Sequence, residues 1–295
     1  MLLSVAYRSQ AALEALAADL AHQSLPPALW LVVDNAPESA PLQADELQVG
    51  DVFRLDVLRA KEGEGFGAGC NRGFDHLAKL GWRGWVWLLN PDTALPRGDE
   101  LATLASALAT LPAQAVAGTA VREANGALEP SGGWMDPGLD FRRRKLTESS
   151  LIEALASGGS ARYLSVDWLS GCSLALRPQA HTPPARFDPA FPLYYEDMDL
   201  CLRLAGQGAP VLWLPDPAVI HQRGEGSHTP SERRLRLSTV SYLRFLRRHR
   251  PRWVLGLRLA RLWLKALLRL PLQPRQSAAV FAATAEALTT PKERP

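Results

Sequence analysis

Cysteine is scarce in this chain, and its placement excludes more than its number does. Cys70, Cys172 and Cys201 are far apart, odd in count and in no CxxC spacing. Neither a disulfide framework nor a zinc knuckle fits that pattern, whereas a reducing cytosol does. Long uncharged apolar runs are missing too. No stretch of about 20 such residues exists, which excludes a simple membrane-spanning helix. The opening MLLSVAYRSQ has too short an apolar run, and no basic lead, for a signal peptide. Internal repeats and low-complexity linkers are also lacking. The excess of one charge sign is small, a net +3 over 295 residues with 47% hydrophobic and 21% charged. A chain of that length can bury a large core as one large domain or two small ones. The small total hides an asymmetry, because basic residues crowd Arg233 to Arg275 and acids sit mostly earlier.

Short buried-type runs alternate with helical patterns. LLSVAY precedes SQAALEALAADLAHQ, where Leu13, Leu16 and Leu20 recur at helical spacing and Ser9 stands at the N-cap position. ALWLVVDN and DVFRLDVL read as strands, EGEGFGAGCNRGFDHLAKLG as a glycine-rich loop entering a helix, and WVWLLNPD as the next strand. This alternation predicts βαβ units and an α/β fold with a mostly parallel sheet covered on both faces. Ligands then bind beyond the carboxyl ends of the strands. Asp34 and Asp92 both lie at such ends and are expected on one rim. Beyond residue 112, AVAGTAV reads as a strand, the stretch from Leu128 to Ser170 as an irregular excursion and VDWLSGCSLALRP as a return to strand. FDPAFPLYYEDMDLCLRLAGQG reads as a helix with acids in its first turn and a glycine stop. APVLWLPDPAVIHQRGEGS reads as strand, turn and polar loop, and Pro271 to Pro295 as loosely held.

Each candidate residue has a bland reading beside the chemical one. Gly63, Gly65 and Ala68 satisfy a loose GxGxxA pattern, but after the third strand and with no suitably placed acid closing the next strand at the usual distance, which argues against a dinucleotide fold. The cluster is then a plain turn or a loop that lets backbone approach a nucleotide, with Asn71 and Arg72 at its mouth. Asp34 and Asp92 are strand caps or ligands. Glu196, Asp197 and Asp199 repel one another unless a helix start, an arginine or a cation offsets the charge, and Arg203 stands four residues after Asp199. Tyr194 and Tyr195 beside them point to a partly desolvated cleft, where a carboxyl pKa rises toward that of a general base. His221, at a strand end, is a structural hydrogen-bonder or a ligand.

Taken in series, SVAYRSQAALEALAADLAHQS, VVDN, GFGAGCNRGF, LLNPDT, WLSGCSLALRP, FDPAFPLYYEDMDLCLRLAGQG and PAVIHQRGEGS resemble glycosyltransferase family 2, in its rhamnosyltransferase-like branch. The resemblance covers about residues 2 to 228. It implies a GT-A fold, a Rossmann-like nucleotide half (about 1–112) and an acceptor half (about 113–230); the residues of 231–295 themselves read as a basic, amphipathic helical extension. The resemblance further implies that Ala6, Tyr7, Arg8 and Asp34 hold the nucleoside, and that Gly67 and Asn71 lie beside the nucleotide. The family's DxD motif stands here as Asn90-Pro91-Asp92, on the sugar diphosphate, leaving Asp92 as the carboxylate ligand of a divalent cation, Mg²⁺ or Mn²⁺. His221 matches the family's later metal ligand and Asp197 its catalytic base, with Glu196 beside it. Trp168, Ser170 and Gly171 match the segment lining the sugar and acceptor pocket.

The expectation is therefore a metal-dependent, inverting glycosyltransferase of surface polysaccharide synthesis. Its donor would be a dTDP-, UDP- or GDP-sugar, with dTDP-rhamnose the guess from the branch, and its acceptor a glycan or a lipid-linked glycan. The rival from another class is a non-catalytic nucleotide- or glycan-binding scaffold. A nucleotidyltransferase would want a basic phosphate loop near the N-terminus, which SVAYRSQ does not supply. In RWVLGLRLARLWLKALLRL, Arg258, Arg261, Lys265 and Arg269 fall on one helical stripe amid Leu, Val and Trp. That pattern suits peripheral attachment to the cytoplasmic face of an anionic membrane, with a helix packed on its own domain as the bland alternative. Charge alone raises nucleic acid, but no base-stacking or groove-reading motif accompanies it.

Overall fold

Period-two alternation along the buried runs builds a sheet with a core on each face. In the computed structural model, which describes residues 1–47, 49, 50, 52–135, 143–156, 162–222 and 231–289, the elements follow in chain order. They are β1 (Leu2–Ala6), α1 (Gln10–Ala21), β2 (Leu29–Asp34), β3 (Arg54–Arg59), α2 (Phe66–Lys79), β4 (Val86–Leu89) and β5 (Thr93–Ala94). Next come α3 (Glu100–Leu108), β6 (Val116–Glu123), β7 (Leu128–Glu129), β8 (Gly132–Met135), β9 (Arg143–Lys145), α4 (Glu148–Ala156), β10 (Leu164–Ser165), β11 (Trp168–Leu169) and β12 (Ser173–Leu176). The chain continues through α5 (Glu196–Gly206), β13 (Val211–His221), α6 (Glu232–His249), α7 (Arg252–Arg269) and α8 (Pro274–Thr289).

The main sheet runs β10-β13-β6-β12-β4-β1-β2-β3, with β5 on β13 and β7 on β6. Leu3, Leu31, Val33 and Leu88 point into one core with Phe74 of α2 and Leu200 and Leu204 of α5. Their neighbours Leu2, Trp30, Val32 and Trp87 point into the other with Leu13, Leu16 and Leu20 of α1 and Leu101 and Leu104 of α3. Burial on both faces is why these strands read as unbroken apolar runs.

The strands β4, β1, β2 and β3 are parallel, and so are β6 and β13. In the middle of the sheet β12 is antiparallel to both β4 and β6, and the short strands β10, β5 and β7 also pair antiparallel at the sheet's margin. Because β12 runs backwards, its start meets the carboxyl end of β4, with Ser173 opposite Leu89. The residues just before β12 therefore join the rim where ligands are expected. A small second sheet, β11-β8-β9, lies in the stretch expected to be irregular.

Several expectations change in detail. Ser9 occupies the N-cap position of α1, but its hydroxyl donates to the Tyr7 carbonyl (3.0 Å) instead of capping the helix. The strand expected across WLSGCSLAL is two, β11 and β12, divided at Ser170–Cys172. The strand-turn reading of 211–221 is one long strand with a register shift between Leu214 and Ala218, where Asp216 is flanked by two prolines. The tail expected to be loose carries α8, whose Ala283 and Ala287 pack against Val240 and Leu243 of α6. The polar loop from residue 223 to 230, and residues 290–295, lie outside the described residues.

Candidate active site

Three strand ends bring the metal-type side chains together. β5 pairs with β13 so that His221 lies opposite Thr93, and the Gln222 amide donates to the Asp92 carbonyl (2.7 Å). His221 Nε2 thereby stands 3.2 Å from Asp92 Oδ2, and Nδ1 stands 2.9 Å from Glu129 Oε2. Asp92 keeps 41% of its side chain exposed, while the imidazole and Glu129 are largely buried. Burial alone would lower the imidazole pKa. The hydrogen bonds to Asp92 and Glu129, and their charges, outweigh it and push the value up to about 9.

Glu129 is the residue the sequence reading passed over. It sits on a two-residue strand that folds back on β6, Glu129 opposite Val121. The available signal was Asn125-Gly126, a tight-turn dipeptide after a strand. Gly126 has φ +85 there, and the Gly126 amide donates to the Glu123 carbonyl (2.8 Å).

A carboxylate on one imidazole nitrogen, with the other nitrogen turned toward an exposed carboxylate, is a common metal-site arrangement. Asp92 and His221 offer the oxygen and imidazole donors that suit Mg²⁺ or Mn²⁺. Among the described residues no group of three or more His, Cys, Asp or Glu is placed to hold a metal. The residues fit the expected group.

Asp197 reaches the same rim by a separate route. Its Oδ2 accepts from the Gly171 amide (3.0 Å) and its Oδ1 from the Met198 amide (2.8 Å). The next residue, Cys172, accepts through its carbonyl from the Asn90 amide (2.9 Å). The proposed base and the Asn90-Pro91-Asp92 turn are thus tethered to adjoining residues. A side chain at Gly171 would have to displace the Phe66 ring, since a Cβ would meet Cε1 at 2.8 Å. Ser170 is half-buried at this turn, its hydroxyl accepting from the Cys172 amide (3.3 Å). Trp168 is 4% exposed and packs with Phe191, Met198 and Phe245 beneath the start of α5, as support for that helix.

Consecutive left-handed residues, Tyr194 (φ +63) and Tyr195 (φ +67), launch α5. Such conformations cost of order 1–3 kcal/mol each and persist where surroundings fix them. α6 fixes them here. Arg234 Nε donates to the Tyr194 hydroxyl (2.7 Å), and the Tyr195 ring packs on Tyr242 and Phe245 at 5.7 and 5.2 Å. Between the two helices lies a cavity of about 480 Å³ lined by Tyr194, Tyr195, Glu196, Asp197, Ser238, Thr239 and Tyr242. The first helix of the expected C-terminal extension therefore forms a wall of the site. Glu196 is buried, and Oε2 has no hydrogen-bond partner among the described residues. Burial first, and the Asp197 charge second, push its carboxyl up to about 8. The desolvation anticipated from the tyrosines is present, and it acts on Glu196. Asp199 turns away and is fully buried between Arg203, Arg248 and His249.

A second cavity, of about 390 Å³, is lined by Ala6, Arg8, Asp34, Leu42 and Gln43 among others. Arg8 has φ +56, its guanidinium lies 5.4 Å from the half-exposed Tyr7 ring, and Nη2 donates to the Ser39 hydroxyl (3.1 Å). Asp34 is 3% exposed and accepts from the Ala36 and Leu42 amides (2.9 and 3.0 Å), so its carboxylate shapes the cavity's loop. Asn71 does not reach this cavity: its carboxamide clasps both backbone groups of Phe187 (2.8 and 2.9 Å). The helical glycines serve packing. A Cβ on Gly67 would strike Phe187 at 2.9 Å, and one on Gly69 would strike Val5 at 2.7 Å. These contacts seat α2 tightly on β1 and on the loop that leads into α5.

A sheet rim with a ligand-type Asp–His pair, a tethered carboxylate and two cavities can now be set beside known proteins. The model of "Glycosyltransferase like family 2" matches residues 5–256. The chain belongs to that family. It is a glycosyltransferase with a GT-A fold, as its sequence resemblance implied, and the match extends into α7. A curated relative from Mycobacterium tuberculosis, an N-acetylglucosaminyl-diphospho-decaprenol L-rhamnosyltransferase, is 25% identical over 241 residues, covering 76% of each chain. Among solved structures, the mannosyltransferase PcManGT from Pyrobaculum calidifontis, in complex with GDP-Man and Mn²⁺, superposes with a TM-score of 0.58 at 14% identity. That match covers 98% of this chain and 86% of the other. GalNAc-T7 with UDP, GalNAc and Mn²⁺ gives a TM-score of 0.61 at 14% identity, over 83% of this chain and 47% of that one. This chain thus spans about half the length of GalNAc-T7. At these identities the structures bear on the fold alone.

Proposed function

We propose that this glycosyltransferase moves a sugar from a nucleoside diphosphate sugar to a hydroxyl of a glycan or lipid-linked acceptor, inverting the anomeric carbon, in surface polysaccharide synthesis. The observation that carries the reading is the tethering of Asp197 to Gly171 and of Asn90 to Cys172, one residue apart, with His221 3.2 Å from Asp92. The relative's activity supports dTDP-rhamnose as the first donor to test. The three cysteines are buried and far apart in sequence, which suits the cytoplasm, where nucleotide sugars would be met.

In this reading the cavity lined by Ala6, Arg8 and Asp34 takes the nucleoside, with the Tyr7 ring exposed at its edge, while Gly67 and Asn71 seat α2 against Phe187. Asp92 and His221 would hold a divalent cation, which would offset charge on the departing diphosphate. Glu129, accepting from His221 Nδ1, would keep the ring oriented with Nε2 toward Asp92 and the cation. The acceptor enters the cavity between α5 and α6, past Ser170 and Gly171. Asp197 takes the proton of its hydroxyl as that oxygen bonds to the anomeric carbon and the bond to the diphosphate breaks. One displacement from the opposite face inverts configuration. Glu196, neutral at pH 7 with its carboxyl near 8, leaves Asp197 to carry the negative charge of the pair.

The experiment is transfer from a panel of dTDP-, UDP- and GDP-sugars by wild type and Asp197→Asn. The variant should lose roughly 10²-fold or more in turnover and keep donor binding. Equal turnover would overturn the base assignment. A wild type that binds nucleotide and transfers nothing from any donor would instead mark a scaffold.

A further inference from the structure

Helix α7 has two apolar faces, and the protein covers one of them. Leu255, Leu259 and Leu262 pack into the cluster formed with α6 and α8, and Ala266 is buried along the same line. Trp253, Leu257, Leu264 and Leu268 follow at spacings of four, seven and four, which is one continuous stripe on the opposite side. Their exposures are 48%, 61%, 58% and 70%, and Leu272 just beyond the helix is 86% exposed. A single exposed leucine needs no explanation, but an aligned row of them marks an interaction surface.

Charge selects the partner. Arg258, Arg261, Lys265 and Arg269 run beside the apolar stripe, and no acid occurs in sequence between Glu232 and Glu286. A second copy docking on this face would bring like charges together with no acidic residue of the same arm to meet them. No helix of the described residues is long and apolar enough to cross a membrane. An apolar stripe flanked by cations instead fits the headgroup region of an anionic leaflet, with leucines and tryptophan among the acyl chains and guanidinium groups at the phosphates.

We infer that the outer face of α7 docks the chain on an anionic lipid surface. The inference is independent of the transfer reading, since no residue of the stripe lines either cavity. α7 packs on α6, and α6 carries Ser238, Thr239 and Tyr242 of the wall facing Asp197. Docking would therefore hold the acceptor-side cavity close to the leaflet that a lipid-linked substrate occupies.

The test is co-sedimentation of the full chain with vesicles of phosphatidylcholine plus phosphatidylglycerol, and with phosphatidylcholine alone. Binding to the anionic vesicles is expected, weakening with salt. Leu257→Glu combined with Leu264→Glu should lower it about tenfold or more, with unchanged melting and nucleotide binding. Arg261→Gln and Lys265→Gln should each lower it about fivefold. Failure to bind anionic vesicles, binding indifferent to the two leucines, or a solution dimer that the glutamate variant disperses would each overturn the inference.

Discussion

Helices α6 and α7 are both 18 residues long, both rich in arginine and both amphipathic, yet their cations do different things. On α6, Arg234 holds the Tyr194 hydroxyl, Arg244 donates to the Ala190 carbonyl (2.6 Å), and Arg248 pairs with Asp188 and Asp199. These contacts fasten the helix to the loop and helix that carry Asp197. On α7, Arg261, Lys265 and Arg269 point to solvent beside exposed leucines. A basic amphipathic helix thus has two meanings, a strap on the catalytic unit or a surface for something else. Composition does not separate them. The presence of buried acids on the facing element does.

The largest expected difference between the two helices is in stability. Asp199 is fully buried, with Arg203 Nε and His249 Nε2 both at 2.7 Å. Removing its charge leaves cations without their partner in the interior, which costs about 3–5 kcal/mol. Asp199→Asn should melt far below wild type, whereas Lys265→Gln with Arg269→Gln should stay within about 0.5 kcal/mol per site. Similar losses from the two changes, measured by thermal or denaturant unfolding, would erase the distinction. Acid sharpens it. Burial opposes ionisation of Asp199, but the hydrogen bond from His249 and the arginines outweigh it and hold the carboxyl below the usual value. Its contribution is therefore present above the ordinary carboxyl pKa of 3.8 and is lost as pH falls through the lower folded value.

A more gradual effect, spread over pH, comes from the acid on the other side of that helix start. Burial, then Asp197, raise the Glu196 carboxyl from 4.5 to about 8. The folded chain keeps this proton across that window while the unfolded chain releases it, so stability falls with rising pH, by at most about 1.4 kcal/mol per pH unit. Glu196→Gln should flatten that part of the profile. A profile unchanged by the substitution would show that Glu196 ionises normally in the folded chain.

The sheet was legible because strands buried on both faces leave unbroken apolar runs, as in WLVVD and WVWLL. Asp92 and His221 were legible as strand ends, and the structure sets them side by side. Glu129 was not, because its strand is two residues long and its approach to His221 is made by a hairpin rather than a local pattern. The glycines and Asn71 read as groups near a ligand, while their contacts are with Val5 and Phe187. Small residues permit close approach without specifying what approaches. α6 was grouped with the tail by its charge, and its place at the site appears only when the acids it meets are known.

The central claim is that Asp92 and His221 form a cation and diphosphate site serving Asp197. Its most direct measurement is Mn²⁺-dependent binding of dTDP and UDP by wild type, His221→Ala and Asp197→Asn, followed by calorimetric titration. The account predicts metal-dependent binding in wild type, its loss in His221→Ala, and its retention in Asp197→Asn. Nucleotide binding that ignores Mn²⁺, or that survives His221→Ala unchanged, would contradict it.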